Sequence, residues 1–304
     1  MIRIVDTIEK AEYITHSGTM HADEVFATAF LSLYRGDINL YRQSEVNPED
    51  YPNALVYDIG RGKFDHHQID RQVRENNIPY CSFGLLWKEF GVDFLEKRNV
   101  EFAEDVHQSI DKEFVEGIDA IDNGIFPKVE APYKIKNICD IIKLFNPSYG
   151  SSQEESTQFL KAVDVAAKIF EEEIVSVTGK VKARKQVEEK IEEAKKKHYL
   201  VLEEFMPYEE AVFNKDEEKE IYFCIYPSNR GGYAAKTISI SPEDRTDRMP
   251  FPEEWAGLDK KLEEVSGVEG ATFCHLARFL VCAKTKKAIL KLVEMTIKNQ
   301  KNDK

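Results

Sequence analysis

From Asp23 onward, apolar residues recur at Val25, Phe26, Ala29, Phe30 and Leu33. That is helical spacing, and Asp23 stands near the helix start, where carboxylates are favoured. Ahead of it, residues 11–15 form a short extended stretch holding Tyr13 and Ile14, followed by a polar loop from His16 to Ala22. Residues 54–59 read as a buried strand closed by Gly60, and a turn at Arg61-Gly62 leads into Phe64-Asp65-His66-His67-Gln68. Residues 83–90 and about 102–119 are helical in pattern, the second running into Asp119-Ala-Ile-Asp122-Asn123-Gly124. Strands alternating with helices predict an α/β domain over residues 1–150, with a mainly parallel sheet flanked by helices. Such sheets bind ligands at the carboxyl ends of their strands. His16, Asp58 and the His66-His67 pair all follow predicted strands directly.

Residues 154–197 are almost continuously helix-compatible, interrupted at Gly179. Ala162, Val163, Val165, Ala166, Ile169 and Phe170 give one apolar face. The segment 180–197 is dense in Lys, Arg and Glu, and reads as a solvated connecting helix. Residues 151–198 are therefore expected to be a helical connector. Beyond them, Tyr199–Val201, Ile221–Tyr226, Tyr233–Ile240 and Ala271–Val281 read as strands broken up by prolines, and 286–299 as a terminal helix. This predicts a smaller C-terminal α+β domain over 199–304. No internal repeat stands out.

Length fits about two domains: the chain has 304 residues, of which 42% are hydrophobic and 32% charged. These values exclude collagen-like and wholly disordered chains. No apolar run approaches the roughly 18 residues of a membrane helix, so no membrane partner is expected. The five cysteines form no C-x-x-C pair. With no signal-peptide pattern at Met1–Asp6, a reduced, cytoplasmic setting is expected. Net charge is −13, which argues against strong duplex DNA binding through many phosphate contacts. The acidity is concentrated: residues 1–150 carry 16 basic against 26 acidic side chains, a net of −10.

Four of the seven histidines fall within the first 67 residues: His16, His21, His66 and His67. Asp23, Asp58 and Asp65 lie beside them. An aspartate at the end of a buried strand needs a partner, and a cation supplies one. Alone, each residue has a plainer role: Asp23 as a helix cap, Asp122 as a turn former, His16 and His21 as loop histidines. His107, His198, His275 and Cys81 keep such roles. Together, the imidazoles and carboxylates suit Mn²⁺, Fe²⁺, Co²⁺ or Zn²⁺. Five or six ligands exceed the needs of one catalytic ion and predict a two-metal centre, which activates a shared water against phosphorus.

The residues also carry a family resemblance. His16-x4-His21-x-Asp23, Val56-Tyr-Asp58-Ile-Gly60, Asp65-His66-His67-Gln68 and Asp119-x-x-Asp122-Asn123-Gly124 resemble the DHH phosphoesterase superfamily. They are most similar to its Myg-type branch, the melanocyte-proliferating-gene or "metal-dependent protein hydrolase" family. The C-terminal half matches through Arg248-x-Pro250-x-Pro252-x-x-Trp255-x-Gly257-Leu258 and Ser266-Gly267-Val268-x-Gly270-x-x-Phe273-x-His275. The resemblance implies a DHH-type N-terminal catalytic domain, a C-terminal substrate-binding domain and a dinuclear Mn²⁺ centre, with Mg²⁺ as a further candidate ion. On this chain it makes His16 and His21 ligands of a first metal, and Asp23, His66 and Asp122 ligands of a second. Asp58 bridges the two. His67 stands near the substrate phosphate, Asp65 holds a histidine tautomer, and Asp119 stands behind the ligands. Substrate contacts fall to Gln68, Asn123, His275, Arg278 and Lys284. Two departures from the family pattern stand out. His21 replaces a more usual aspartate, and Val281 and Cys282 replace a Gly-Gly pair that lets backbone approach a phosphate.

The expected activity is that of a metal-dependent phosphodiesterase acting on short RNA or oligonucleotides, as a 3′→5′ exonuclease. The alternatives are a small-phosphate hydrolase acting on pyrophosphate, a nucleotide or a cyclic dinucleotide, and a non-catalytic metal- or RNA-binding scaffold. A homodimer is compatible with the acidic surface and connecting helix. Peptide hydrolysis has no support, since no His-Glu-x-x-His helix is present.

Overall fold

A computed structural model describes residues 1–302. The chain divides into two compact units, Met1–Gly179 and Lys180–Lys304.

In the first unit, strands β1 (Ile2–Ile4), β2 (Tyr13–His16), β3 (Ile38–Gln43) and β4 (Leu55–Val56) form one sheet in the order β1-β3-β2-β4. Every pairing is parallel, so each link between strands is a crossover. Helix α1 (Ala22–Arg35) makes the crossover from β2 to β3, and Ala22–Leu31 are all buried. Helices α2 (Ser82–Lys97), α3 (Ala103–Ile110), α4 (Glu116–Asp122) and α5 (Ile138–Lys143) follow. A wide π turn at Asp111–Val115 joins α3 to α4.

Helix α6 (Glu155–Glu188) carries Phe170 onto Phe30, Phe83 and Trp87, with ring centroids 6.2, 5.4 and 5.4 Å apart. This edge-to-face aromatic packing fixes α1, α2 and α6 around one core. Glycine interrupts nothing here: α6 runs through Gly179 and ends at Glu188, and α7 (Ile191–Lys197) begins after Glu189-Lys190.

The expected solvated connector is corrected by burial. Val181, Ala183, Val187, Ile191 and Ala194 are all buried, the last four at helical spacings of four, four and three residues along α6 and α7.

The second unit holds strands β5 (Tyr199–Val201), β6 (Phe223–Pro227), β7 (Tyr233–Thr237), β8 (Ala271–Cys274) and β9 (Leu280–Ala283) in the order β5-β6-β7-β9-β8. Only β5–β6 is parallel. Alternation along β6 serves two cores. Phe223 and Ile225 face Ile289, Leu292 and Val293 of the terminal helix α10 (Lys286–Asn302). Cys224 faces Ile191, Ala194 and the Ala211 and Val212 of α8 (Glu209–Lys215). The single strand expected over Ala271–Val281 is instead β8, a turn and β9, because Arg278 takes a left-handed φ of +59°. A short helix α9 (Leu262–Ser266) precedes β8. Among the described residues, no helix is long and apolar enough to cross a membrane.

Candidate metal centre

Parallel pairing of β2 with β4, Ile14 opposite Val56, brings the carboxyl ends of both strands together. His16 ends β2, and Asp58 lies two residues beyond β4. Asp58 adopts φ +55°, a left-handed conformation that Asp and Asn tolerate better than other non-glycine residues. Its Oδ2 lies 3.2 Å from His16 Nε2 and its Oδ1 lies 3.1 Å from His66 Nε2. One buried carboxylate thus faces two imidazoles, one with each oxygen.

The loop carrying His66 and His67 is organised by Asp65. Its Oδ2 accepts from Arg61 N at 2.6 Å, and its Oδ1 accepts from His66 N at 2.7 Å. Oδ1 also lies 2.6 Å from His67 Nδ1. With its lone pairs spent on these donors, Asp65 orients the loop.

Around His66, the Nε2 atom lies 3.4 Å from Asp122 Oδ2 and 4.0 Å from Asp23 Oδ2, in addition to Asp58. Asp23 itself accepts from Ser82 N and Phe83 N, at 3.0 and 2.7 Å, at the start of α2. On the other side, Glu24 is fully buried, 3.3 Å from His16 Nε2, and accepts from His21 N at 2.9 Å. His16, His21 and Glu24 form one group whose ligand atoms all lie within 4.8 Å of one another. Asp23, His66, Cys81 and Asp122 form a second such group, and Asp58, Asp65, His66 and His67 a third.

Asp119 is turned away from these groups. Its Oδ1 accepts from Gly84 N at 3.2 Å, and Arg74 Nη2 lies 2.7 Å from its Oδ2. Arg74 also makes a two-pronged contact with Asp111, at 2.8 and 2.7 Å.

Electrostatics show what the cluster lacks. Burial pushes the carboxyls of Asp23 and Asp122 up, and the neighbouring Asp58 charge adds to it. Burial likewise raises Glu24 against the pull of His16, and raises Asp119 to about 7 against Arg74. Asp58 goes the other way: despite burial, hydrogen bonds from His16 and His66 hold it low. His16, despite its own burial, is held up to about 11 by Asp58 and Glu24. Three carboxylates converge on His66 Nε2, and one imidazole proton satisfies one of them. A divalent cation satisfies all three, so the donor set fits a metal.

These groups line a cavity of about 860 Å³. Every residue lining it belongs to the first unit: His16, His21, Asp58, Asp65, His66, His67 and Asp122 are joined there by Gln68 and Asn123. Arg61, Arg71 and Lys143 add positive charge, and Phe126 adds an exposed ring. His275, Arg278 and Lys284 lie in the second unit, at the end of β8, in the β8–β9 turn and just after β9. There Arg278 Nη1 donates to Phe251 O at 3.3 Å.

Sequence reasoning passed over Glu24 and set Cys81 aside. Glu24 stands three residues after His21, the spacing of a capping pair, and that spacing is visible in the chain. Cys81, fully buried, enters the cluster only through the fold.

The MYG1_exonuc family model, described as "Uncharacterised protein family (UPF0160)", matches residues 12–297. The MYG1 protein of Dictyostelium discoideum is 27% identical, the alignment covering 93% of this chain and 95% of the relative. The MYG1 protein of Schizosaccharomyces pombe is 28% identical over 88% of this chain and 91% of its own. The MYG1 exonuclease of Homo sapiens is 26% identical over 93% of this chain and 85% of its own. No solved structure matches this chain.

Proposed function

This chain belongs to the MYG1_exonuc family, and on that premise we propose that it is a metal-dependent phosphodiesterase of the DHH type that shortens RNA or short oligonucleotides from the 3′ end. The name MYG1 exonuclease, carried by mammalian relatives, supports nuclease chemistry. The observation that carries the metal-dependent reading is Asp58, which presents one oxygen to His16 and the other to His66. That is how a carboxylate shared by two ion positions is placed.

In this reading His16, His21 and Glu24 hold one ion, and Asp23, His66 and Asp122 hold the other. Mn²⁺ is the favoured ion, with Mg²⁺, Co²⁺, Fe²⁺ and Zn²⁺ as the other candidates. Such ions, when bound, neutralise charge developing on a phosphate and acidify water. The protein's own side chains do the rest. Asp65, hydrogen-bonded to His67 Nδ1, raises that imidazole's pKa and fixes its ring. His67 then has Nε2 free to donate to a phosphate oxygen or to the departing alkoxide. Arg61, Arg71 and Lys143 draw the substrate's phosphates into the cavity. Residues 199–304, which lie within the second unit, are the substrate-binding domain of this reading, with His275, Arg278 and Lys284 as its substrate contacts.

The test is hydrolysis of a labelled RNA pentamer and of pyrophosphate, each with Mn²⁺, Mg²⁺ or chelator, by the native protein and Asp58→Asn. Stepwise shortening that needs the metal, and falls more than about 100-fold in Asp58→Asn, is expected. Turnover of pyrophosphate alone would place the protein among small-phosphate hydrolases. Retained metal with no turnover of either would make it a scaffold.

A further inference from the structure

Cys81 sits at the entry to α2, directly before Ser82. Its sulfur lies 3.5 Å from His66 Nδ1 and 3.7 Å from Asp122 Oδ2. Asn123 Nδ2 donates to the same sulfur at 2.8 Å. Asp23 is bound to the next two amides of that helix end, so the fold sets Asp23 and Cys81 side by side. Asp23, His66, Cys81 and Asp122 offer two oxygens, one nitrogen and one sulfur, all within 4.8 Å of one another.

We propose that Cys81 is a direct ligand of one ion position, making it a sulfur-containing site that takes a thiophilic divalent ion (Zn²⁺, Co²⁺ or Fe²⁺), while the His16, His21 and Glu24 position has no sulfur. The inference rests on the metal centre assigned above and refines which ion it takes. With the shared Asp58 these make five mixed donors, a count zinc reaches when its tetrahedral shell expands. Sulfur shifts preference away from Mn²⁺ and Mg²⁺ toward softer ions. Without an ion, burial and the neighbouring carboxylates of Asp23, Asp119 and Asp122 push the Cys81 thiol up, so the thiolate forms only together with a bound cation that offsets them. The amino end of the 16-residue α2 carries positive partial charge. The Asn123 amide gives the sulfur a hydrogen bond of the kind that steadies a metal ligand. As sulfur binds the ion, its proton leaves to solvent. The competing role for Cys81 is outside the ligand shell, as a thiol that donates to the Asp119 carbonyl at 3.3 Å and lies beside His66 Nδ1.

Cobalt separates the two. Chelator-treated full-length protein is titrated with Co²⁺ and its absorption recorded. A near-ultraviolet sulfur-to-cobalt charge-transfer band should accompany the visible d–d bands. Cys81→Ser should lose the near-ultraviolet band and keep the visible ones. Cys139→Ser, which alters the cysteine that lines the cavity, should keep both. Visible bands without the charge-transfer band in the native protein, or a band that survives Cys81→Ser, overturns the proposal and leaves the metal centre standing. Failure to take up cobalt at all overturns both. Should Cys81→Ser not fold, X-ray absorption of the zinc-loaded native protein and of Cys139→Ser gives a second reading. A sulfur shell at about 2.3 Å in both supports Cys81; a shell of nitrogen and oxygen alone, or sulfur lost with Cys139, overturns it.

Discussion

At the scale of single residues, two positions near the centre are decided by backbone and space. Asp58 occupies φ +55°, so alanine there adds roughly 1 kcal/mol of backbone strain to the loss of the carboxylate. Asn relieves the strain and removes only the charge. Compared in chelator-treated form, Asp58→Asn should therefore melt close to the native temperature, while metal analysis after reloading should show it losing bound ion. Gly84 is tighter. A Cβ there would lie 1.9 Å from Asp119 Oδ2, so Gly84→Ala must expel Asp119 from its place against Arg74. We expect a loss of about 1–3 kcal/mol in denaturant unfolding. Gly117→Ala, with nothing within 4 Å of the added carbon, is the control and should instead gain about 0.5–1 kcal/mol as a helical Gly→Ala change. The His and Asp candidate ligands stand out in the sequence because few other reasons gather imidazoles and carboxylates at strand ends, and the fold brings them together. Glu24 and Cys81 do not stand out. Glutamate in a first helical turn is commonplace, and nothing local to residue 81 foretells that Asp23 and Asp122 meet there.

At the scale of elements, the helices with long periodic faces, α1, α2 and α6, are legible from their spacing, and the short strands less so. β3 buries only Ile38 and Leu40 fully, which is too brief an alternation to stand out from a loop. β4 has two residues, because the chain turns at once to place Asp58. Gly179 is the instructive error. It looks like a stop, yet the tertiary contacts of α6 on either side carry the helix across it. Its Cα faces open space, so Gly179→Ala should stabilise the protein by about 0.5–1 kcal/mol. A shift in the denaturant midpoint with an unchanged slope would show it; destabilisation would mean that α6 depends on a bend there.

At the scale of the whole molecule, each unit has its own core and its own buried tryptophan, Trp87 in the first and Trp255 in the second. Every residue assigned to the ions lies in the first. Removing metal should therefore lower the melting of Met1–Gly179 and leave that of Lys180–Lys304 unchanged. Trp255→Phe leaves Trp87 as sole reporter of the first unit, and Trp87→Phe does the converse. At an ion concentration 100 times the dissociation constant, the difference is about 2.7 kcal/mol. An equal shift at both reporters would refute the assignment. The same arrangement orders events in time. The ligands end at Asp122, and the first core closes once α6 has delivered Phe170. When Gly179 has been made, at least the 125 residues (304 − 179) of Lys180–Lys304 are still to come. At about 5–20 residues per second, that is roughly 6–25 s of synthesis. A nascent chain thus completes the first unit, with its candidate ligands already gathered, before the second unit exists. On the proposed metal-dependent reading, an ion can therefore bind before synthesis ends.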